Sequence, residues 1–333
     1  MEAAEFMNQT TLDLATTLLL AIALAVTAVA SQAQTYPQRP IRIISPNSAA
    51  GANDTIGRIV ALKLGEVLGQ QVVIDNRGGA GGIIGADIVA KATPDGYTLV
   101  LASLATHSVS PHVYRNIPYD AVRDFAPVSL FALVQNVLNS NPAFPPNSVK
   151  ELIALAKAKP GTINYASAGP GSASHFSGLL FAKMAGIDLV HIPYKGGGPA
   201  VAALLSGEAS FNFGPMPATV PLIKAGRLKA IAVSGTTRSR ALPDVPTVAE
   251  SGVPGYTSGS WFGLMAPKGT PKTVIDKLHA AVEKAINSPD TSQQLLNVGA
   301  EPVSNSPEAF AKYVKDEYER YGRLVKEAGL KIE

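Results

Sequence analysis

From residue 41 onward, short β-rich runs alternate with helical stretches, and almost every strand-to-helix junction is a Gly- or Ser-rich loop. Ile41–Ser45 is β-rich, the loop 46–54 follows, and 55–68 places Ile56, Ile59, Val60, Leu64, Val67 and Leu68 on one helical face before Gly69. Val72–Asn76 is a second strand, the loop 77–82 opens a helix over 83–92, and 98–102 is a third strand after the Pro94-Asp95-Gly96 turn. A β-α-β-α-β order dictates an α/β fold with parallel strands and helices on the sheet faces. The pattern resumes downstream. Ser148 and Glu151 form a capping box for a helix ending at 158. Strands are expected at 163–167, 189–192, 210–213 and 228–234, with helices at 174–185 and 199–206. Helices at 272–287 and from Ser306-Pro307 to about 328 close the chain.

At 333 residues the chain is long enough for about two domains. It contains no Cys, which excludes a disulfide scaffold, a cysteine nucleophile and an iron–sulfur site. Its formal charge of +3 is too small and too evenly spread for a nucleic-acid binder.

The run 18–30, LLLAIALAVTAVA, is uncharged and shorter than the roughly 20 apolar residues of a membrane span. Small residues at Ala28, Ala30, Ser31 and Ala33 follow it, so 1–33 reads as a signal peptide cleaved near Ala33. The segment has no Lys or Arg, which leaves an uncleaved anchor as the alternative and either Met1 or Met7 as the start. Its removal leaves the chain more positive, since it takes Glu2, Glu5 and Asp13 with it.

The loops 46–54, 77–82, 167–174 and 195–199 each end a strand and open a helix. Ligands of open α/β sheets sit at the carboxyl ends of strands, where helix N-termini offer free N–H groups to anions. None of these loops has the spacing of a nucleotide-binding fingerprint. The chain lacks GxSxG and HExxH, and its five His lie at 107, 112, 175, 191 and 279. No metal or cofactor is expected. Ser172 and His175, three apart, are the one pair a hydrolase reading would use. Tyr194, Phe213, Trp261 and Phe262 are core aromatics by default, with a ligand wall as the alternative.

At these loops the chain resembles the Bug/TctC family, the extracytoplasmic solute receptors of tripartite tricarboxylate transporters. The resemblance runs through YPQRPIRIISPNSAAGANDTIGR (36–58), VVIDNRGGAGGIIGADIVAKATPDGYTL (72–99), NYASAGPGSASHFSGLLF (164–181), VHIPYKGGGPAVAALLSGE (190–208) and SWFGLMAPKGTP (260–271). It implies a two-domain periplasmic binding protein of the type II, flytrap form, each domain a mainly parallel sheet flanked by helices. The domains would be 36–135 plus 260–333, and 136–259, with the ligand cleft between them. The family binds small carboxylates through two loops acting as a pincer. Carried across, Ser48, Ala49, Gly51, Asn53 and Asp54 stand on one side and Ser167, Gly169, Ser172 and His175 on the other, with Thr106 and His107 as a third segment. Asp54 also suits a helix cap, since it would repel a carboxylate.

Two departures stand out. The first loop reads PNSAAGAND, with polar Asn47 and Ser48 where the family is apolar. Gly214 stands where the family often has Asp, which removes a counter-ion for a ligand ammonium and is expected to leave space. The expected ligand is therefore an amine-free carboxylate, either an aromatic mono- or dicarboxylate or an aliphatic dicarboxylate. The expected partner is a two-subunit membrane permease, and the expected state is a monomer in the periplasm. The other readings are a secreted hydrolase built on Ser172 and His175 and a sensory receptor for the same ligand.

Overall fold

The structure, a computed structural model, describes residues 36–47, 49 and 52–327. The signal-peptide reading therefore lies outside the described residues. By compactness the chain divides into Met1–Arg39 and Pro40–Glu333, and the fold that follows is that of the second unit.

Strand β1 (Ile41–Ser45) carries the first unit of alternation. Its side chains are buried on both faces apart from the half-buried Arg42, as a central parallel strand requires. Helix α1 (Ala52–Leu68) lays Ile56, Val60 and Leu64 against the sheet. Strand β2 (Val72–Asn76), helix α2 (Ile83–Ala90) and strand β3 (Thr98–Ser103) follow. β1 pairs in parallel with both β2 and β3, in registers starting Ile41↔Val72 and Arg42↔Thr98. After β3 the chain makes a π-turn over Ala105–Val109 and a short helix α3 (Ser110–Val113).

Strand β4 (Phe125–Ser140) is sixteen residues long. Helix α4 (Val149–Ala158) then starts on the expected capping box: Ser148 Oγ accepts from Glu151 N–H, and Glu151 Oε2 accepts from Asn147 N–H. The second unit of alternation runs β5 (Asn164–Ser167), α5 (Ala173–Ala185), β6 (Val190–Pro193), α6 (Gly197–Ser206) and β7 (Phe211–Pro215). Helix α7 (Met216–Lys224), β8 (Lys229–Val233) and β9 (Gly259–Pro267) follow. The chain closes with α8 (Lys272–Ile286), α9 (Pro289–Asn297), β10 (Ala300–Pro302) and α10 (Pro307–Glu327).

The strands lie in the order β2-β1-β3-β9-β4-β7-β5-β6, with β8 and β10 also on β4. The flanks are parallel: β2, β1 and β3 on one side, and β7, β5 and β6 on the other. The middle is antiparallel, because β9 runs opposite to both of its neighbours, β3 and β4. β4 pairs with β9 as far as Gln135 and takes β7 from Asn136. Pro127 sits where the β4–β9 register shifts, a bulge that tolerates its missing N–H. This long strand was not legible from periodicity, since Ser129, Gln135, Asn136 and Asn139 interrupt the apolar alternation.

Two principal cores result. One gathers Ile44, Val100, Leu130, Trp261 and Phe310, and the other Leu138, Phe181, Phe211, Phe213 and Tyr256. Trp261, Phe213 and Phe262 are thus core aromatics, while Tyr194 is partly exposed and donates its hydroxyl to Glu208 Oε1 at 2.8 Å. The last helix packs on β9. Phe310 and Tyr313 meet Trp261 edge-on at 5.7 and 6.0 Å, and farther along Tyr321 meets Phe176 of α5 at 5.6 Å. Its charged face, with the Lys312–Asp316 pair, is exposed.

Gly263 makes that docking possible, because a β-carbon there would sit inside the Phe310 ring. Gly263→Ala is expected to cost about 1–3 kcal/mol by overpacking, read as a lower urea midpoint with an unchanged slope. Adding Phe310→Leu should recover part of the loss.

Candidate functional site

The loop after β1 is tied inward by side-chain amides. Asn53 Nδ2 donates to Asn47 Oδ1 at 2.9 Å, and Asn76 Nδ2 donates to Asn47 O at 3.2 Å. Asp54 occupies the first turn of α1 and pairs with Arg58 at 2.9 Å, so its charge is answered within its own helix. The 77–82 loop runs through left-handed backbone at Ala80, Gly81 and Gly82. A β-carbon at Gly82 would strike Thr106 and Pro46, so glycine lets this loop lie flat against its neighbours.

On the opposite wall, the turn after β5 is held by its own hydroxyls. Ser167 Oγ accepts from Gly169 N–H at 3.0 Å, and Ser174 Oγ accepts from Ala168 N–H at 3.0 Å. Ser172 caps α5: its Oγ accepts from the backbone N–H of His175 at 3.2 Å and donates to Gly169 O at 2.7 Å. The His175 ring instead accepts from Gly171 N–H through Nδ1 at 3.2 Å. Ser172 Oγ therefore faces no imidazole nitrogen, and the pair is a helix cap rather than a nucleophile with its base. The serine that does meet a ring is Ser167, 2.6 Å from His191 Nε2. His191 stacks on His175 at 4.0 Å, with the ring planes nearly parallel. Burial, with the neighbouring His191 second, pushes His175 down to about 4. Burial also lowers His191. Both rings are neutral at pH 7 and serve as scaffolding behind the loop.

Between these walls lies a cleft of about 700 Å³. The starts of α1, α2, α5, α6 and α7 all open onto it, through Ala52 and Thr55, Gly82, Ser172, Gly196 to Pro199, and Pro217. Each start turns the positive end of a helix dipole towards it, although at α5 the Ser172 cap takes the His175 N–H and Pro199 and Pro217 have no N–H to give. Among the described lining residues the only formally charged side chain is Lys195, and none is acidic. Val109, Val113, Tyr114, Pro215 and Ala218 add an apolar wall. Among the described residues no cluster of His, Asp and Glu gathers that would hold a metal ion.

Of the residues singled out by sequence, Ala49 and Ser172 line the cleft. Ser48 and Gly51 lie outside the described residues. Asn53, Asp54, Ser167, Gly169 and His175 stand behind the lining and shape it. Thr106 and His107 are fully buried. Thr106 Oγ1 meets His107 Nδ1 at 2.8 Å, and Tyr119 donates to Thr106 O. The His107 ring packs edge-on against Phe125 at 4.8 Å and faces Trp261 at 6.3 Å.

Gly214 corrects an expectation. It opens no space for a ligand, because it is buried, and a β-carbon there would collide with the Thr219 methyl and crowd Asn139 and Asn212 at 3.0 Å. Its neighbours Pro215 and Pro217 line the cleft instead. Lys195 and Tyr114 were not singled out by sequence. Lys195 lay in a loop already marked by its strand-to-helix position, whereas Tyr114 follows a π-turn with no periodic signal.

Burial alone drives His107 from 6.5 to about 3. The folded state therefore holds a neutral ring where the unfolded chain takes up a proton below about 6.5. This contribution is full above that pH and is lost progressively as pH falls towards 3, with His175 adding to the loss down to about 4. We expect the thermal midpoint to fall between pH 6.5 and 4 and the slope to flatten in His107→Gln. The His107 ring proton signals should not titrate between pH 8 and 5. Ser172→Ala should cost about 1 kcal/mol of stability through the lost cap, measured by urea unfolding.

The model of the tripartite tricarboxylate transporter family receptor matches residues 56–330. Protein BugT of Bordetella pertussis is 40% identical over 312 residues, covering 93% of this chain and 96% of that protein. An R. palustris protein solved with adipate is 36% identical with a TM-score of 0.83, over 89% of this chain and 99% of that one. MatC from Rhodopseudomonas palustris, solved with bound malate, is 33% identical with a TM-score of 0.78, over 87% of this chain and 100% of its own.

Proposed function

The chain belongs to the tripartite tricarboxylate transporter receptor family, and on that premise we propose that it is a periplasmic solute-binding protein for a small, amine-free carboxylate. The observation that carries this reading is the cleft itself: several helix starts converge on it, and no acidic side chain lines it among the described residues. A carboxylate entering such a site meets N–H donors on both walls and no like charge. A ligand ammonium would meet no carboxylate among those lining side chains, and an unpaired buried charge is costly. The apolar wall of Val109, Val113 and Tyr114 suits a hydrocarbon or aromatic body between or beside the acid groups. The relatives solved with adipate and malate point to the same ligand chemistry.

The proposed mechanism is capture by closure. The halves carrying residues 36–135 plus 260–333 and 136–259 act as the two jaws. They flex where β4 exchanges β9 for β7, between Gln135 and Asn136. Ligand favours the closed form only because both walls contribute donors to it. No bond is made or broken, and the closed receptor passes its cargo to a two-subunit membrane permease.

The test is a thermal-shift screen of the protein from Gln34 onward against adipate, succinate, malate and benzoate, with aspartate and glutamate as amine-bearing counterparts. A ligand that binds the native state alone, at about 100 times its Kd, adds roughly 2.7 kcal/mol of stability. We expect a rise in midpoint with at least one amine-free acid and none with the amino acids. Tighter binding of aspartate or glutamate than of every amine-free acid overturns the ligand class.

A further inference from the structure

We infer that Lys195 is a specificity-determining residue that makes the cleft prefer a dicarboxylate over a monocarboxylate of equal length. The inference rests on the carboxylate-receptor reading above and goes beyond it, because backbone N–H groups alone do not count the charges on a ligand.

Lys195 is the one formally charged side chain among the described lining residues of the cleft. It is exposed, and it makes no ion pair with any described carboxylate. The cations flanking the first loop are already answered, Arg58 by Asp54 and Arg77 by Asp75. Glu208 is engaged by the Tyr194 hydroxyl at 2.8 Å. In a cleft whose described lining holds no carboxylate, this ammonium is the one full charge there that can meet an incoming anion.

The backbone on either side of Lys195 is fixed. Tyr194 N–H donates to Ser167 O at 3.0 Å, and Gly196 N–H donates to Ala168 O at 3.2 Å. These bonds splice the lysine onto the turn that carries Ser172, so the ammonium stem starts from a rigid point beside the hydroxyl-braced loop. Gly196, at φ 112, then turns the chain straight into α6. The wall thus offers two kinds of anion partner in sequence: neutral N–H donors at the helix starts, and one flexible cation beside them. A monocarboxylate uses the first. A second carboxylate, separated by a few methylenes along the apolar wall, reaches the second. The four-carbon stem of lysine lets that reach vary, which fits a preference for charge number over strict chain length.

The test uses adipate and hexanoate, which share a six-carbon length and differ by one carboxylate, titrated by calorimetry into the protein from Gln34 onward. Wild type should bind adipate more tightly than hexanoate. Lys195→Gln should lower the adipate-to-hexanoate affinity ratio about tenfold, the scale of one lost charge-assisted hydrogen bond, while leaving hexanoate unchanged. Lys195→Arg should restore most of the ratio, and Lys195→Glu should invert it. The wild-type preference should shrink as salt rises.

The inference is overturned if Lys195→Gln leaves the ratio unchanged, or if it weakens both acids equally. A wild-type protein that binds hexanoate as tightly as adipate keeps the carboxylate reading and overturns this one. A wild-type protein that binds neither these acids nor any other carboxylate overturns both. Lys195 is exposed, and an unchanged urea midpoint in each variant separates a binding effect from a folding one.

Discussion

Both walls of the cleft depend on strand β4. Its sixteen residues pair first with β9 and then with β7, so a single extended segment belongs to both halves of the sheet. A strand holds its direction over such a length because each peptide is bonded sideways to neighbours. The two parallel flanks are therefore set at a defined separation with their strand ends facing one another. Without β4 there would be two independent α/β units and no shared cleft. The antiparallel return of β9 beside it closes the sheet and gives the last helix its seat on Trp261 and Gly263.

The chemistry of the cleft follows from that placement. Parallel strands joined by helices put every strand's carboxyl end, and every following helix start, on one edge of the sheet. Bringing two such edges together aims several helix starts, with the positive ends of their dipoles, at one volume. The residues that seem chemical in this region mostly do structural service. Ser172 caps a helix, Asp54 is answered by Arg58, and the stacked pair of His175 and His191 backs the loop as neutral rings. What lines the cleft, among the described residues, is backbone, proline, apolar side chains, the neutral polar Asn47, Thr55, Ser110 and Ser172, and one lysine. A site so constituted suits an anion, and the exchange of partners along β4 is where the proposed motion concentrates.

Much of this was legible beforehand. The alternation of strands and helices was readable because apolar periodicity and Gly or Ser punctuation are local properties. The capping box at Ser148 and Glu151 and the ends of β1, β2 and α4 follow the same logic. The π-turn at Ala105–Val109 and the long β4 were not readable, since neither carries a clean period. Thr106 and His107 were assigned to the ligand by resemblance, whereas the fold buries both, the His107 ring against Phe125 and Trp261 and Thr106 against Ser103 and the Tyr119 hydroxyl. Gly214 was expected to open space, and its surroundings, supplied by Thr219 and Asn139, close it.

The sequence by itself determined the α/β class, the strand-to-helix loops that line the cleft, the family and the absence of cysteine chemistry. Each of these is carried by residues close together in the chain. Only the tertiary structure decided which loops face one another, which polar side chains point inward, and that Lys195 is the lone formal charge on the described walls of the cleft. Those facts depend on pairings such as β4 with β7 and β9, between segments up to a hundred residues and more apart. No local pattern encodes such distances, because they are settled by the packing of the whole chain.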